Sequence, residues 1–507
     1  MTGRYSRRSF LKGIGLAAAA GGLSLSGLSG IKRAAAARRF QDLPRLIYIF
    51  PGGAQPDVAT VQDALSEYMA ERIGATIELR AIDWGAFNDQ IGLINASAEN
   101  YDLAFTAPWT NNYYSNVDQE YLAPIGDLLP QLAPNYWASM TPETWEAARV
   151  GGDIYAGINQ QTFVKPFGPY IRADVLEAIG AAADFNGLSS YDAMSPILAA
   201  VKEYVDNDDT LTHVTYYLDT IMVAENWGFD PVDGLLVVKS TDASAQVQIF
   251  SETDEFRQGA ELVRSWLEAG YAPNDPATLG SGDEAWAAGL FAMRVSDIVK
   301  PGGNAEAESR WGVPVASKAI AEPLLTTGSV TATLNGVSSV SANRELAVQF
   351  LELVNSDPVF YNTLCKGVQG VHWDWADEAQ QLIKPAGDAA SFGDTGYAPN
   401  TDWMYGNVFN SYYTDPTQVG AWPETAALNR SARPSPVLGF TFDRAAVDTE
   451  VASVAAVVDE FANPIRGGFA DPATAIPALN EALQAAGIGA IRDEMQRQVD
   501  EWLAAKA

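Results

Sequence analysis

The chain has 507 residues, 47% of them apolar and 19% charged, with thirteen tryptophans and a net charge of −31 at pH 7. That balance excludes a disordered chain, and the negative charge argues against nucleic acid or an anionic membrane as partners. One cysteine, Cys365, excludes an internal disulfide and a cysteine-based metal cluster, and reads as a small buried apolar residue.

Residues 6–12 read Ser-Arg-Arg-Ser-Phe-Leu-Lys, a pattern that resembles a twin-arginine export signal. A weakly apolar run broken by Gly and Ser follows at 13–28, then Ala35-Ala36-Ala37, small enough for cleavage. The run is short for the roughly 20 apolar residues of a membrane span. Residues 1–37 are therefore expected to be cleaved, leaving a mature chain from near Arg38. No cysteine stands there to carry a lipid, so a soluble mature protein is expected. Cleavage removes six bases and no acid, leaving 26 bases against 63 acids and a charge of −37. Such a surface fits a salty exterior, where salt screens the repulsion, and equally an acidic surface set by genome composition.

About 470 mature residues predict two or more domains. Residues 46–50 form a short apolar run ended by Pro51-Gly52-Gly53, and Asp57 is expected to cap a helix with Val58, Val61, Leu65, Met69 and Ile73 on one face. Residues 76–82 read as a second strand, 86–96 as a second helix and 101–105 as a third strand. This βαβαβ order predicts a parallel sheet whose ligand crevice lies at the carboxyl ends of the strands. The segments 51–55, 83–84 and 106–114 are then the places to search.

Past Gly151-Gly152-Asp153-Ile154-Tyr155 the chain runs through Pro166-Phe167-Gly168-Pro169 into a second helical region, from near Ala173 to about Arg310. A strand-like return is expected at 313–315 and 326–334, before a helix at 344–353. Two crossings make each lobe discontinuous: 38–160 with 318–358 in lobe one, and 161–317 with 359–507 in lobe two. The end is helical. Its stripes, Val447, Val451, Val454, Val458 and Phe461, then Ile488, Ile491, Met495, Val499 and Trp502, read as packing faces.

Neither His213 nor His372 sits in an H-x-x-x-H or H-E-x-x-H frame, and no G-x-S-x-G elbow, G-x-x-x-x-G-K-[ST] loop or dinucleotide G-x-G-x-x-G follows a strand. No cofactor or metal is expected. Paired carboxylates for glycoside cleavage stay open, since with 63 acids some pair will lie at a suitable distance by chance. Asp206-Asn207-Asp208-Asp209 lacks the Gly and distal Glu of a calcium loop and reads as an exposed turn. Aromatic residues among amides are the richer signal, in Trp109-Thr110-Asn111-Asn112-Tyr113-Tyr114 and in NTDWMYGNVFN at 400–410. Sugar rings need that combination: flat faces cover the C–H surface of the ring and fixed amides satisfy its hydroxyls. The bland alternative is that these rings are half-buried packing residues.

Longer motifs carry a resemblance. They are Ile82-Asp83-Trp84-Gly85, FTAPWTNNYY at 105–114, the stretch 145–156 ending Gly152-Asp153-Ile154-Tyr155-Ala156, and Leu324-Leu325-Thr326-Thr327-Gly328-Ser329. To these add NTDWMYGNVFN at 400–410, SPVLGFTFD at 435–443 and Gln498-Val499-Asp500-Glu501-Trp502. On them nearly all of the mature chain resembles the substrate-binding component of bacterial ABC importers, extracellular solute-binding family 1, in the larger lipoprotein-like subgroup associated with complex carbohydrates.

The resemblance implies an α/β, two-lobed periplasmic binding protein fold, type II-like, with discontinuous lobes joined by hinge strands. It implies a monomer without catalytic residues that closes on an oligosaccharide and hands it to permease subunits in the membrane. At matching positions it gives ligand roles to Trp84, Trp109, Thr110, Asn111, Asn112 and Tyr113. In lobe two, 287–293 resembles a G-x-x-A-M helix and loop, bringing Ser296, Asp297 and Lys300 to the cleft, and Phe440 and Phe442 match a sugar-stacking position. Trp227 and Trp403 are added on aromatic character and context.

The missing lipid-attachment cysteine and the twin-arginine pattern depart from the subgroup and put membrane tethering in doubt. The competing reading is an exported glycoside-degrading enzyme, disfavoured because the resemblance leaves no catalytic module. A peptide or amino-acid binder would need fixed charges for the ligand's termini. Lys300 by itself does not decide whether the sugar carries uronic acids.

Overall fold

In the computed structural model, which describes residues 40, 42–275 and 282–506, the chain enters on β1 (Arg45–Pro51) and follows α1 (Val58–Arg72) to β2 (Thr76–Ile82). It continues through α2 (Phe87–Ala96) to β3 (Leu103–Thr106). The export signal expected at 1–37 lies outside the described residues. β1 pairs in parallel with β2, from Arg45↔Thr76 to Pro51↔Ile82, and with β3 at Tyr48↔Leu103 and Ile49↔Ala104. A strand paired on both edges and covered on both faces must be apolar throughout, and Leu46, Tyr48, Ile49 and Phe50 are all buried. Helix α1 buries Val61, Leu65 and Met69, as their spacing predicts.

Asp57 is not the expected cap. Its backbone, at φ −101° and ψ 18°, is not extended, and its side chain takes no N–H of the helix. The carboxylate Oδ2 instead stands 3.5 Å from Nε2 of buried His372. That ring's Nδ1 accepts the Val368 N–H at 2.9 Å, so the proton sits on Nε2, facing Asp57.

From β4 (Ala156–Ile158) the chain crosses to β5 (Phe167–Arg172) in the second lobe. There it forms α3 (Ser195–Val205), an antiparallel sheet of β6 (Phe229–Asp233), β7 (Leu236–Lys239) and β8 (Val247–Ile249), then α4 (Asp254–Glu268). β9 (Met293–Ile298) and β10 (Val315–Ser317) flank β5, both antiparallel to it. The return delivers β11 (Leu334–Val337) between β3 and β4, antiparallel to both, completing a five-stranded sheet in the order β2-β1-β3-β11-β4. Residues Thr327–Val330, expected within the strand-like return, form a helical turn instead, because Thr326 and Ser329 cap each other reciprocally.

The chain goes on through α5 (Arg344–Ser356) and α6 (Pro358–Lys366) and ends on α7 (Pro472–Ala485) and α8 (Ile488–Lys506). Side chains separate into two large cores, one about Tyr48, Phe105 and Phe350 and the other about Leu198, Trp266 and Met495. The fold is the two-lobed α/β architecture that the sequence led us to expect.

The lobe boundary expected at 359 is corrected by this packing. Phe360, Tyr361, Leu364, Cys365, Tyr397, Met404 and Tyr405 all lie in the first core. Pro358 opens α6 and the Asp357 carboxylate caps it at the N–H groups of Val359 and Phe360, so the chain folds back on α5 instead of leaving the lobe. The third passage between lobes comes later. Arg433–Pro434 pairs with Leu324–Leu325 of the return, and Val437, Leu438 and Phe440 alternate between the second core, the first and the second.

The C-terminal stripes pack as expected: Ile488, Ile491, Met495 and Val499 are buried in the second core, with Trp502 against it. Cys365 is buried, and burial raises its thiol far above the ordinary range. Asp208 makes a turn, its Oδ1 accepting the N–H groups of Thr210 and Leu211 at 2.7 and 2.8 Å. Among the described residues no helix is long and apolar enough to cross a membrane.

Candidate functional site

The segment after β3 doubles back within a few residues, and its backbone polar groups need partners. Asn111 takes the left-handed conformation at φ +41°, which asparagine tolerates. Its Nδ2 donates to the Phe105 carbonyl at 2.8 Å, and its backbone oxygen and Oδ1 accept from Asn116 Nδ2 at 3.0 and 2.9 Å. Asn88 Oδ1, reaching over from α2, accepts both the Asn111 N–H at 2.7 Å and the Thr110 hydroxyl at 2.8 Å. Asn112 accepts the Ser115 N–H at 3.0 Å and donates to Pro108 O at 2.7 Å.

These bonds correct the roles expected of the motif. Thr110, Asn111 and Asn112 spend their polar atoms on the turn itself, and Thr110 is buried besides. Tyr113 is a core residue: it is fully buried, donates to Ala148 O at 2.7 Å and accepts the Tyr155 N–H at 3.3 Å. The sequence motif is thus mainly a brace.

What it braces is Trp109, which stands 56% exposed with its Nε1 donating to Ala332 O at 2.7 Å. Trp84, just past β2, is 42% exposed, and the turn behind it is held by Asp83 Oδ1 accepting the Gly85 N–H at 2.9 Å. Half-buried Trp403 completes a trio. Ring centroids are 6.2 Å apart for Trp84–Trp109, 6.1 Å for Trp84–Trp403 and 6.3 Å for Trp109–Trp403. Beneath them, buried Phe105 lies 5.9 Å from both Trp109 and Trp403.

Trp403 arrives from the turn Asp402–Met404. Asp402 is pinned by Lys366 Nζ at 2.5 Å and by the Ser411 hydroxyl at 2.5 Å, while its carbonyl accepts the Tyr361 hydroxyl at 2.6 Å. An indole left half in water keeps on the order of 100 Å² unburied, forgoing roughly 2–3 kcal/mol of hydrophobic stabilisation at about 25 cal/mol per Å². Two such rings side by side on a rigid base are a surface that a flat, C–H-rich ligand can cover.

The second-lobe residues are not gathered in the same way. Ser296 is buried, its hydroxyl 3.0 Å from that of Tyr191 and accepting Asn226 Nδ2 at 3.3 Å. Asp297 pairs with Arg294 at 2.8 Å and Lys300 with Glu306 at 2.8 Å. Ser296 and Asp297 lie on strand β9, not on the expected helix and loop, because Met293–Ile298 pairs along β5. Trp227 is half-buried, with Nε1 donating to Ile221 O at 2.7 Å. Phe440 is corrected to a packing residue, 5% exposed in the second core with Trp502 edge-on at 5.9 Å, and Phe442 packs half-buried against that core.

The second lobe also buries a carboxyl near the third passage. Asp230 is 5% exposed, and burial pushes it up to about 7, with Ser435 drawing it down and Glu225 adding to the rise. Sequence reading passed over Asp230, and over Asn88, Asn159 and Asn335, which support the tryptophans. The available signal was polar residues inside apolar segments, as in Ile158-Asn159 and Leu334-Asn335.

A family described as a domain of unknown function, DUF3502, matches residues 436–504. A carbohydrate ABC transporter substrate-binding protein of Streptococcus pneumoniae is 24% identical, over 98% of this chain and 99% of its own length. Among solved structures, the N-glycan transport solute binding protein NgtS of S. pneumoniae aligns with a TM-score of 0.79 at 22% identity, covering 92% of this chain and 100% of its own. Its complex with Man5GlcNAc scores 0.64 at 24% identity, over 92% and 99%. An extracellular solute-binding protein of Bifidobacterium longum subsp. infantis scores 0.62 at 15% identity, over 90% and 98%. End to end, this chain is similar in fold to solute-binding proteins.

Proposed function

We propose that this protein is the substrate-binding component of an ABC importer, which captures an oligosaccharide between its two lobes and delivers it to permease subunits in the membrane. The observation that carries this reading is the pair of exposed indoles Trp84 and Trp109, standing beyond the carboxyl ends of β2 and β3 with half-buried Trp403 beside them, where open α/β sheets take their ligands. A sugar ring laid on Trp84 and Trp109 recovers the apolar burial that the free protein forgoes.

The relatives add the ligand class. NgtS has been seen with Man1GlcNAc and Man5GlcNAc, and this chain's ligand is an oligosaccharide, neutral or weakly acidic. The glycoside-degrading alternative has no support among these relatives, which are transport proteins. The protein works as a monomer, free in the periplasm after twin-arginine export and cleavage near Ala37.

The test is a melting screen of the mature protein against an oligosaccharide panel that includes Man5GlcNAc. At one hundred times the dissociation constant, binding to the native state adds about 2.7 kcal/mol, a visible shift. Chromatography of every ligand that shifts the transition should return it unchanged. A cleaved product would overturn the binder reading.

A further inference from the structure

Trp403 is not carried by the sheet; it hangs from it. The carbonyl of the next residue, Met404, accepts Asn159 Nδ2 at 2.8 Å and Asn335 Nδ2 at 3.1 Å. The two amides are themselves joined, Asn335 Nδ2 donating to Asn159 Oδ1 at 2.7 Å, and Asn335 Oδ1 accepts the Tyr48 hydroxyl at 2.7 Å. Beside them the Thr333 hydroxyl reaches Trp403 O at 3.4 Å and accepts Gln161 Nε2 at 2.7 Å. Asn159, Asn335 and Tyr48 are all essentially without solvent exposure.

Position makes this network more than a packing device. Asn159 directly follows β4, where the chain leaves for the second lobe, and Asn335 lies on β11, where it comes back. The two passages are themselves in register, Leu334 opposite Ile158, with the Asn159 N–H donating to Thr333 O at 3.1 Å. A buried amide is costly unless each of its polar atoms is paired, and leucine would fill the same volume in an apolar strand without that demand. Here both amides converge on one carbonyl, next to one indole of the trio.

We propose that Asn159 and Asn335 are positioning residues of the ligand site, fastening Trp403 to the two first-lobe strands beside two of the three passages between the lobes. The proposal rests on reading the tryptophan trio as a sugar-stacking face. The seat of Trp403 is thereby set where the chain first leaves the first lobe and where it returns.

Close indole pairs give an exciton couplet in far-ultraviolet circular dichroism, so the seat of Trp403 can be read without any ligand. Wild type, Trp403→Phe, Asn335→Leu and Asn159→Ala are compared with Leu65→Ala, a core truncation under α1 that leaves the trio untouched. Asn335→Leu is expected to lose at least half of the couplet amplitude that Trp403→Phe removes, and to bind Man5GlcNAc at least tenfold more weakly. Leu65→Ala should melt earlier with its couplet intact. If Asn335→Leu does not fold, Asn159→Ala and Thr333→Val carry the same comparison. A wild-type couplet in a folded amide variant, or no difference between wild type and Trp403→Phe, overturns the proposal. Failure of wild type to bind any sugar, with the couplet responding as expected, removes the sugar reading and leaves the positioning role standing.

Discussion

The indoles of Trp84 and Trp109 lie nearly parallel, 18° apart in plane and 6.2 Å between centroids, although they follow different strands of the sheet. Parallel neighbours β1, β2 and β3 bring their carboxyl ends to one edge, so residues twenty-five apart in sequence become one surface. Both rings stay about half in water, which sets them apart from the fully buried Trp145, Trp266 and Trp286.

Trp109→Ala should weaken oligosaccharide binding by roughly 2 kcal/mol or more, as the loss of an aromatic anchor commonly does. A ring already 56% exposed contributes little to the core, so the ligand-free protein should lose far less than the roughly 3–5 kcal/mol of a buried Trp truncation. Calorimetric binding and ligand-free denaturation on one preparation separate the two. Unchanged affinity would refute the stacking role.

Asn88→Ala removes the one acceptor shared by the Thr110 hydroxyl and the Asn111 N–H. At about 1 kcal/mol for each net hydrogen bond, stability should fall by roughly 1–2 kcal/mol, and affinity should fall too, because Trp109 loses its brace. Equal affinity in a variant of measurably lower stability would show that the turn and the ligand site are independent.

Asp230 predicts a pH dependence. Its folded-state value, near 7, lies above the ordinary 3.8, so the native state holds this proton more tightly than the unfolded chain. Stability from this group is therefore full below about pH 4 and is lost as pH rises toward 7, by at most a few kcal/mol. Asp230→Asn keeps the neutral shape and removes the titration. The melting difference between variant and wild type should widen in the variant's favour from pH 4 to pH 7.5, and a constant difference would contradict the buried, protonated carboxyl.

Export is checked in cells. Changing Arg7 and Arg8 together to Lys should leave precursor in the cytoplasm, since paired guanidinium groups and not positive charge alone make the pattern. Wild-type protein found only in salt-washed membranes would contradict cleavage near Ala37.

Much of this molecule was determined by sequence alone. The βαβαβ entry, the apolar β1 and the C-terminal stripes follow from local periodicity, which acts through residues a few positions apart. Strand ends beside Trp84 and Trp109 were legible for the same reason. Tertiary structure alone decided which neighbour each buried face would meet. The pattern of α6 demands burial without naming a lobe, and the Asp357 cap and the turn at Pro358 sent it to the first core. Likewise, Asn111, Asn112 and Tyr113 read as polar groups for a ligand, yet the tight turn took the two amides for its own backbone and the core took the tyrosine. Trp403 joins the site across some three hundred residues through long-range bonds to its turn, from Lys366 and Tyr361 to Asp402 and from Asn159 and Asn335 to Met404. A hydrogen bond needs both partners within about 3 Å, and that proximity is a property of the folded chain, with no counterpart in spacing along the sequence.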